Sequence, residues 1–160
     1  LGYCTVSGLT ALRSLVSLSI VDINPGDVSA MRGCANLMSL IFKSRAKWYK
    51  VDESSPTGLT AVLESCPLNT LMVQNFCQVS SCSCTSLCDL VVHQFYLCNH
   101  MPMDAQEYLG RFPALKHFSI RGMYLDNVCA ANEAAIRAGR VRQNCEFLAA
   151  IAQSRGGLLT

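Results

Sequence analysis

One pattern of apolar and polar positions organises most of this chain. It reads Leu-x-x-[Leu/Phe]-x-apolar and occurs at Leu15, Leu18, Ile20; Leu37, Leu40, Phe42; Leu68, Leu71, Val73; Leu87, Leu90, Val92; and Leu115, Phe118, Ile120. A single copy, such as FPALKHFSIRGM over Phe112–Met123, is neither a clean helix nor a clean strand, because its apolar positions step by three and then by two. Five copies change the reading. The closing step of two predicts a short strand in each, with alternate side chains on opposite faces. Successive copies begin 22, 31, 19 and 28 residues apart, the signature of a repeated unit.

The residues ahead of three copies predict short helices. DVSAMRGCANL, TGLTAVLESCPL and DAQEYLGRFPAL each carry apolar positions at helical spacing and stop just before the strand. Asp27, Thr57 or Thr60, and Asp104 are candidate N-caps, since their side-chain oxygens can accept from free helical N–H groups. Gly33 and Gly110 suit a helix exit, and Pro67 and Pro113 forbid continuation. Cys34, Cys66 and Phe112 stand two or three places before the repeat leucine, as if filling one buried slot. Cys145, in CEFLAAI, either opens a degenerate sixth copy or belongs to a closing helix.

CANLMSL, CPLNTL and FPALKHF make the chain resemble the leucine-rich repeat family, in particular its cysteine-containing variety, over about residues 8–125. The resemblance implies an α/β leucine-rich-repeat solenoid, with short parallel strands on the concave face and helices or irregular loops on the convex face. It also implies a role in recognising other proteins, as in ubiquitin-ligase receptors, although no F-box-like segment is visible. The chain departs from the family where an Asn or Cys is usual, eight places after the first leucine; here stand Ile23, Arg45, Phe76, Phe95 and Met123. Two of the spacings also fall outside the usual period of about 20–29 residues. Inserted loops are therefore expected at Lys43–Pro56 and Phe76–Thr85. The competing fold is a compact α/β domain with accidental leucine spacing.

If the strands stack in parallel, the residues between the leucines form three columns on the concave side. The first holds Ser17, Ser39, Thr70, Asp89 and His117; the second Ser19, Ile41, Met72, Val91 and Ser119; the third Val21, Lys43, Gln74, His93 and Arg121. Ile41, Met72 and Val91 are apolar where a solvated face would be polar. Beside them Lys43, Gln74, His93 and Arg121 form a polar-to-basic rail. An apolar centre with a charged rim is how partner-binding surfaces are built. A protein segment with acidic flanks is the expected ligand of this face, and Ser119 sits at its margin. Cover by an inserted loop of the same protein is the plainer alternative.

Composition narrows the function classes. The charged fraction is 15% and the net charge +2, so the broad basic stripe of a nucleic-acid binder is missing. KSRAKWYK, Lys43–Lys50, gathers basic residues around Trp48 and Tyr49, a combination that grips either a protein or RNA. Protein contact is the favoured reading, because no second basic patch extends the footprint. The uncharged run between Glu64 and Asp89 is broken by Pro67, Asn69, Gln74 and Asn75, so no membrane span is expected. The chain opens at Leu1 without a leader pattern, which suggests an excerpt or a processed form.

The ten cysteines are expected to be mostly reduced and packed, which favours an intracellular, cytoplasmic setting, where thiols persist. Cys82, Cys84, Cys88, Cys98 and His100 form the one cluster that looks metal-ligating, but its spacing lacks the paired Cys-x2–4-Cys of zinc sites. No metal or cofactor is expected. No nucleophile elbow, phosphate loop or zinc-protease motif is present, and His93 and His117 fall in different columns. No enzyme is expected. Residues 130–160, rich in Ala and Arg, predict a helical C-terminal cap broken at Gly139, after about five repeats in residues 1–129. The functional expectation is a non-catalytic interaction or scaffolding module. Its competitor is a structural subunit of a large assembly, touching RNA through the Lys43–Lys50 loop.

Overall fold

The computed structural model describes residues 13–21, 29–43, 58–76, 79, 82–96, 104–124 and 134–154. Five strands form in the five copies of the pattern: β1 (Ser17–Val21), β2 (Ser39–Lys43), β3 (Thr70–Asn75), β4 (Asp89–Tyr96) and β5 (His117–Ile120). They lie side by side in chain order, each parallel to the next. A two-residue strand, β6 (Met123–Tyr124), pairs with the far end of β4 and keeps the register of β5. The fold is therefore mixed α/β around an all-parallel five-strand sheet.

Every junction between strands is built alike. The residue after each repeat leucine offers its carbonyl to two successive N–H groups of the next copy. Val16 O accepts from Met38 and Ser39, Met38 O from Asn69 and Thr70, Asn69 O from Cys88 and Asp89, and Cys88 O from Lys116 and His117, all at 2.8–3.0 Å. Since one backbone arrangement recurs at four junctions, the registers are fixed together: Leu18, Leu40, Leu71, Leu90 and Phe118 align across the sheet. One face of that sheet is the core. Leu40, Phe42, Leu71, Val73, Leu90, Val92 and Phe118 are all buried there. Burying each such side chain stabilises the fold by about 1.5–3 kcal/mol.

Helices close this core from one side. Helix α1 (Gly58–Ser65) buries Leu59, Val62 and Leu63 and leaves Glu64 in solvent. Its end is marked by Ser65, whose hydroxyl donates to the Ala61 carbonyl at 2.7 Å, and by Pro67 two residues on. Helix α2 (Ala105–Gly110) buries Ala105, Tyr108 and Leu109. Helix α3 (Ala134–Ser154) contributes Phe147, Leu148 and Ile151 and packs against α2. No helix among the described residues is long and apolar enough to cross a membrane.

Several sequence expectations need correction. Ahead of β2, where a short amphipathic helix is expected, the described residues make a 3-10 turn, Ser29–Gly33. Met31, Cys34 and Leu37 are all buried at steps of three, the period a 3-10 turn satisfies. Thr60 is no cap; it lies inside α1, its Oγ1 3.3 Å from Cys82 Sγ. Asp104 does stand at the N-cap of α2, but its side chain makes no capping bond. Helix α3 runs unbroken through Gly139, and Cys145 is exposed on it, outside any core slot. Asp27, Thr57 and residues 44–56 of the first expected loop lie outside the described residues.

Most of the described residues of the second expected loop, Phe76–Thr85, belong to the core. Phe76, Val79, Cys82 and Cys84 are buried. Phe76, eight places after Leu68, is the hub of an aromatic cluster. Its ring lies 5.3 Å from Tyr108, 6.2 Å from Phe118 and 6.0 Å from Phe147, in tilted to edge-on contacts. Such pairs contribute about 0.5–1.5 kcal/mol each beyond their buried area.

Candidate functional site

The second face of the sheet carries the three columns. The register aligns Ser17, Ser39, Thr70, Asp89 and His117 in one row and Ser19, Ile41, Met72, Val91 and Ser119 in the next. Val21 pairs with Lys43, and Gln74 and His93 stand together between the Val73–Val92 and Asn75–Gln94 pairs. Arg121 follows β5 directly and its N–H donates to the Val92 carbonyl at 2.9 Å, which brings it to the end of the same row. Alternation along each strand is what separates these residues from the buried leucines.

Ile41, Met72 and Val91 are half-buried, as are Lys43, Gln74, His93 and Ser119, while Arg121 and Val21 are exposed. Three apolar side chains on adjacent strands thus form a continuous short row. Next to it, the imidazole of His93 lies with Nε2 3.1 Å from the Met72 sulfur. With the proton on Nε2, the ring donates to the thioether. This contact runs diagonally between rows, from strand β3 to strand β4, a reach that long side chains in neighbouring strands have.

Charge on the face is divided. Asp89 is the only acidic residue in the five strands, and it stands at the start of β4. Lys43, His93 and Arg121 gather at the strands' other end. His93 titrates below the ordinary imidazole range, first because of its burial and then because Lys43 and Arg121 disfavour a third positive charge. Among the described residues the ion pairs are Glu107–Arg111 and Arg142–Glu146, so neither rail cation is neutralised by a described acid. Trp48 and Tyr49, expected to join this surface, lie outside the described residues.

The cysteines fall elsewhere. Cys82 and Cys84 are buried in the core, Cys88 is half-buried in the residue before β4, and Cys98 and His100 lie outside the described residues. Among the described residues no group of three or more His, Cys, Asp or Glu side chains is placed to hold a metal ion. Sequence reasoning missed that Cys84 fills the slot of the fourth copy. It precedes Leu87 by three, as Cys34 precedes Leu37, and that spacing was available as the signal. Cys66 Sγ reaches the Met31 carbonyl at 3.5 Å and Cys84 Sγ the Leu68 carbonyl at 4.0 Å, so thiols of successive copies contact the copy before. Burial pushes the Cys34 and Cys66 thiols up, which withholds the reactive thiolate.

His117 pairs in register with Asp89 in the first row, well apart from His93 in the third. The arrangement brings together an apolar row and a cationic rail, suited to binding by contact and charge. Comparisons with family models, with curated proteins and with solved structures returned no match.

Proposed function

We propose that this chain is a small leucine-rich-repeat-like solenoid that binds a protein segment on the exposed face of its sheet. The solenoid reading is supported by the four identical strand junctions and by the cysteine or phenylalanine slot that recurs before the repeat leucine. The binding reading rests on one observation above all. Ile41, Met72 and Val91 stand in register as a half-buried apolar row, bordered by the cations Lys43, His93 and Arg121. A row with no structural duty in the core, and with a charged border, fits the centre and rim of a docking surface. The role is recognition or scaffolding, without catalysis.

The test is affinity capture with the wild-type chain and with the Met72→Asp/Val91→Asp double variant, bound proteins being identified by mass spectrometry. Both positions lie off the core face, so the variant is expected to unfold at nearly the wild-type temperature. A partner held by the wild type and lost by the folded variant supports the reading. Equal retention by both moves the binding surface elsewhere, and loss of folding removes the surface assignment.

A further inference from the structure

Two parallel rows of different chemistry constrain the shape of what they bind. The apolar row and the cationic rail are two residues apart along the strands, roughly 7 Å at the usual rise per residue. Along the rail, Lys43 and His93 are two strand steps apart and Arg121 is one further, so the three cations span roughly 14 Å. An α-helix laid across the strands presents an apolar stripe and, beside it, a second stripe at about this separation, and about ten residues of helix cover the span.

The identity of the second stripe follows from the charges. The described residues on the same face of the sheet as His93 include Lys43 from β2, Thr70, Met72 and Gln74 from β3, Asp89 from its own strand, and Arg121 and His117 from the last copy. Only Asp89 is acidic, and it lies four residues back along β4. Among the described residues the rail therefore has an unanswered positive charge. Phe42, between the two rows on β2, and Phe118, just ahead of the apolar row on β5, are buried on the core face. The two rows therefore offer bases no phenyl or indole ring to stack on, as a single-stranded nucleic acid requires.

We infer that the occupant is an acidic amphipathic helix, its apolar stripe on Ile41, Met72 and Val91 and its carboxylates on Lys43, His93 and Arg121. This rests on the docking reading above and specifies the partner's chemistry. It also makes binding depend on pH. A carboxylate beside His93 favours the imidazolium, whose second N–H becomes a donor to it. Binding then takes up a proton, and affinity rises as pH falls from about 7.5 to about 5.5, above the range in which carboxylates titrate.

The experiment uses the whole chain and two capped synthetic helical peptides with the same leucine stripe. One carries glutamates along the neighbouring stripe, the other glutamines, and a short oligouridine serves as the nucleic-acid probe. The expected result is tighter binding of the glutamate peptide by about tenfold or more, increasing toward acid pH, with Arg121→Gln and Lys43→Gln each reducing that preference. Equal binding of both peptides, lost in Met72→Asp/Val91→Asp, overturns the acidic inference and leaves the docking reading standing. Binding of both peptides unaffected by the double variant overturns both. Failure of both peptides to bind, or binding of oligouridine alone through the same cations, overturns the inference.

Discussion

The two ends of the sheet are built from the same repeat and differ in what surrounds them. At the β5 end, Phe118 is fully buried against Phe76 and Tyr108, whose rings in turn pack on Phe147. At the β1 end, Leu15, Leu18 and Ile20 are only partly buried although they hold the same register positions as Leu37, Leu40 and Phe42. Val16 and Val21 there are 51% and 55% exposed. The backbone does not account for this, since the Val16 carbonyl receives the same two N–H groups as its counterparts further along. Local sequence sets the geometry of a copy, and its neighbours set how much that copy stabilises the fold. The proposed solenoid predicts this behaviour, because in a quasi-one-dimensional stack terms are nearest-neighbour and ends depend on their caps.

Removing an equivalent side chain at each end is the most severe test of this difference. Phe118→Ala empties a fully enclosed site and is expected to cost about 3–5 kcal/mol. Leu18→Ala, at the aligned position of β1, loses less contact and is expected to cost about 1–2 kcal/mol, below the usual range for a buried leucine. Urea denaturation of the two variants decides the matter. Equal losses would mean that the first copy is enclosed as fully as the last.

A second test concerns the β5 end alone. The Tyr108 hydroxyl is buried, and among the described residues it has no hydrogen-bond partner. Burial holds its proton on well above the ordinary phenol range, with Cys82 acting the same way and Arg111 opposing. The ring, 5.1 Å from Phe112 and 5.7 Å from Phe147, supplies the packing; the oxygen adds a desolvation cost. Tyr108→Phe is therefore expected to leave the fold unchanged or to stabilise it by about 1 kcal/mol. A clear loss of stability in thermal melts would show that the hydroxyl is satisfied after all.

The contrast between the ends also explains what was legible in the sequence. The five strands and their register follow from leucine spacing alone, because a step of two and a shared offset leave one alignment that puts every repeat leucine on the same face. The columns Ile41–Met72–Val91 and Lys43–Gln74–His93–Arg121 follow from the same alternation. Burial was not legible in this way. Phe76, Val79 and Cys82 read locally as part of a polar Ser/Cys loop, and partners distant in sequence, Tyr108 and Phe147 at Phe76 and Thr60 at Cys82, are not visible in that local pattern. The 3-10 turn before β2 was hidden because Met31, Cys34 and Leu37 fit a helical stripe nearly as well as a period of three. The contact between His93 and Met72 depends on rotamers, which a pattern of residue types does not carry.

A smaller effect concerns the middle of the open face, between the two ends. His93 has a folded-state pKa below its unfolded value, so folding disfavours its protonation. The sign follows directly: this group costs nothing above about pH 6.5, and its destabilisation grows as pH falls from there through the folded pKa. Burial is the first cause and Lys43 the second, so Lys43→Gln is expected to raise the His93 pKa toward the ordinary value. It should also flatten the acid side of the stability profile. Titration of the His93 ring proton by NMR in both proteins measures the first effect, and melting temperatures between about pH 7 and pH 5 the second. A pKa unmoved by Lys43→Gln would place the lysine's charge too far away to belong to one rail.

The smallest expected effect lies at the β1 end itself. Val21 occupies the rail's row on the first strand, yet it is exposed and pairs only with Lys43 on one side. Val21→Thr keeps the β-branched shape that suits a strand and removes little buried apolar surface. Its stability is expected to stay within about 0.5 kcal/mol of wild type, as for surface substitutions generally. The same change at Val73, which holds a buried place on β3, puts an unpaired hydroxyl into the core and is expected to cost about 1–3 kcal/mol. Measured side by side in urea, the pair isolates position from chemistry. If Val21→Thr costs as much as Val73→Thr, the first strand is covered in solution and the difference between the ends disappears; if it costs almost nothing, the stack is open at β1.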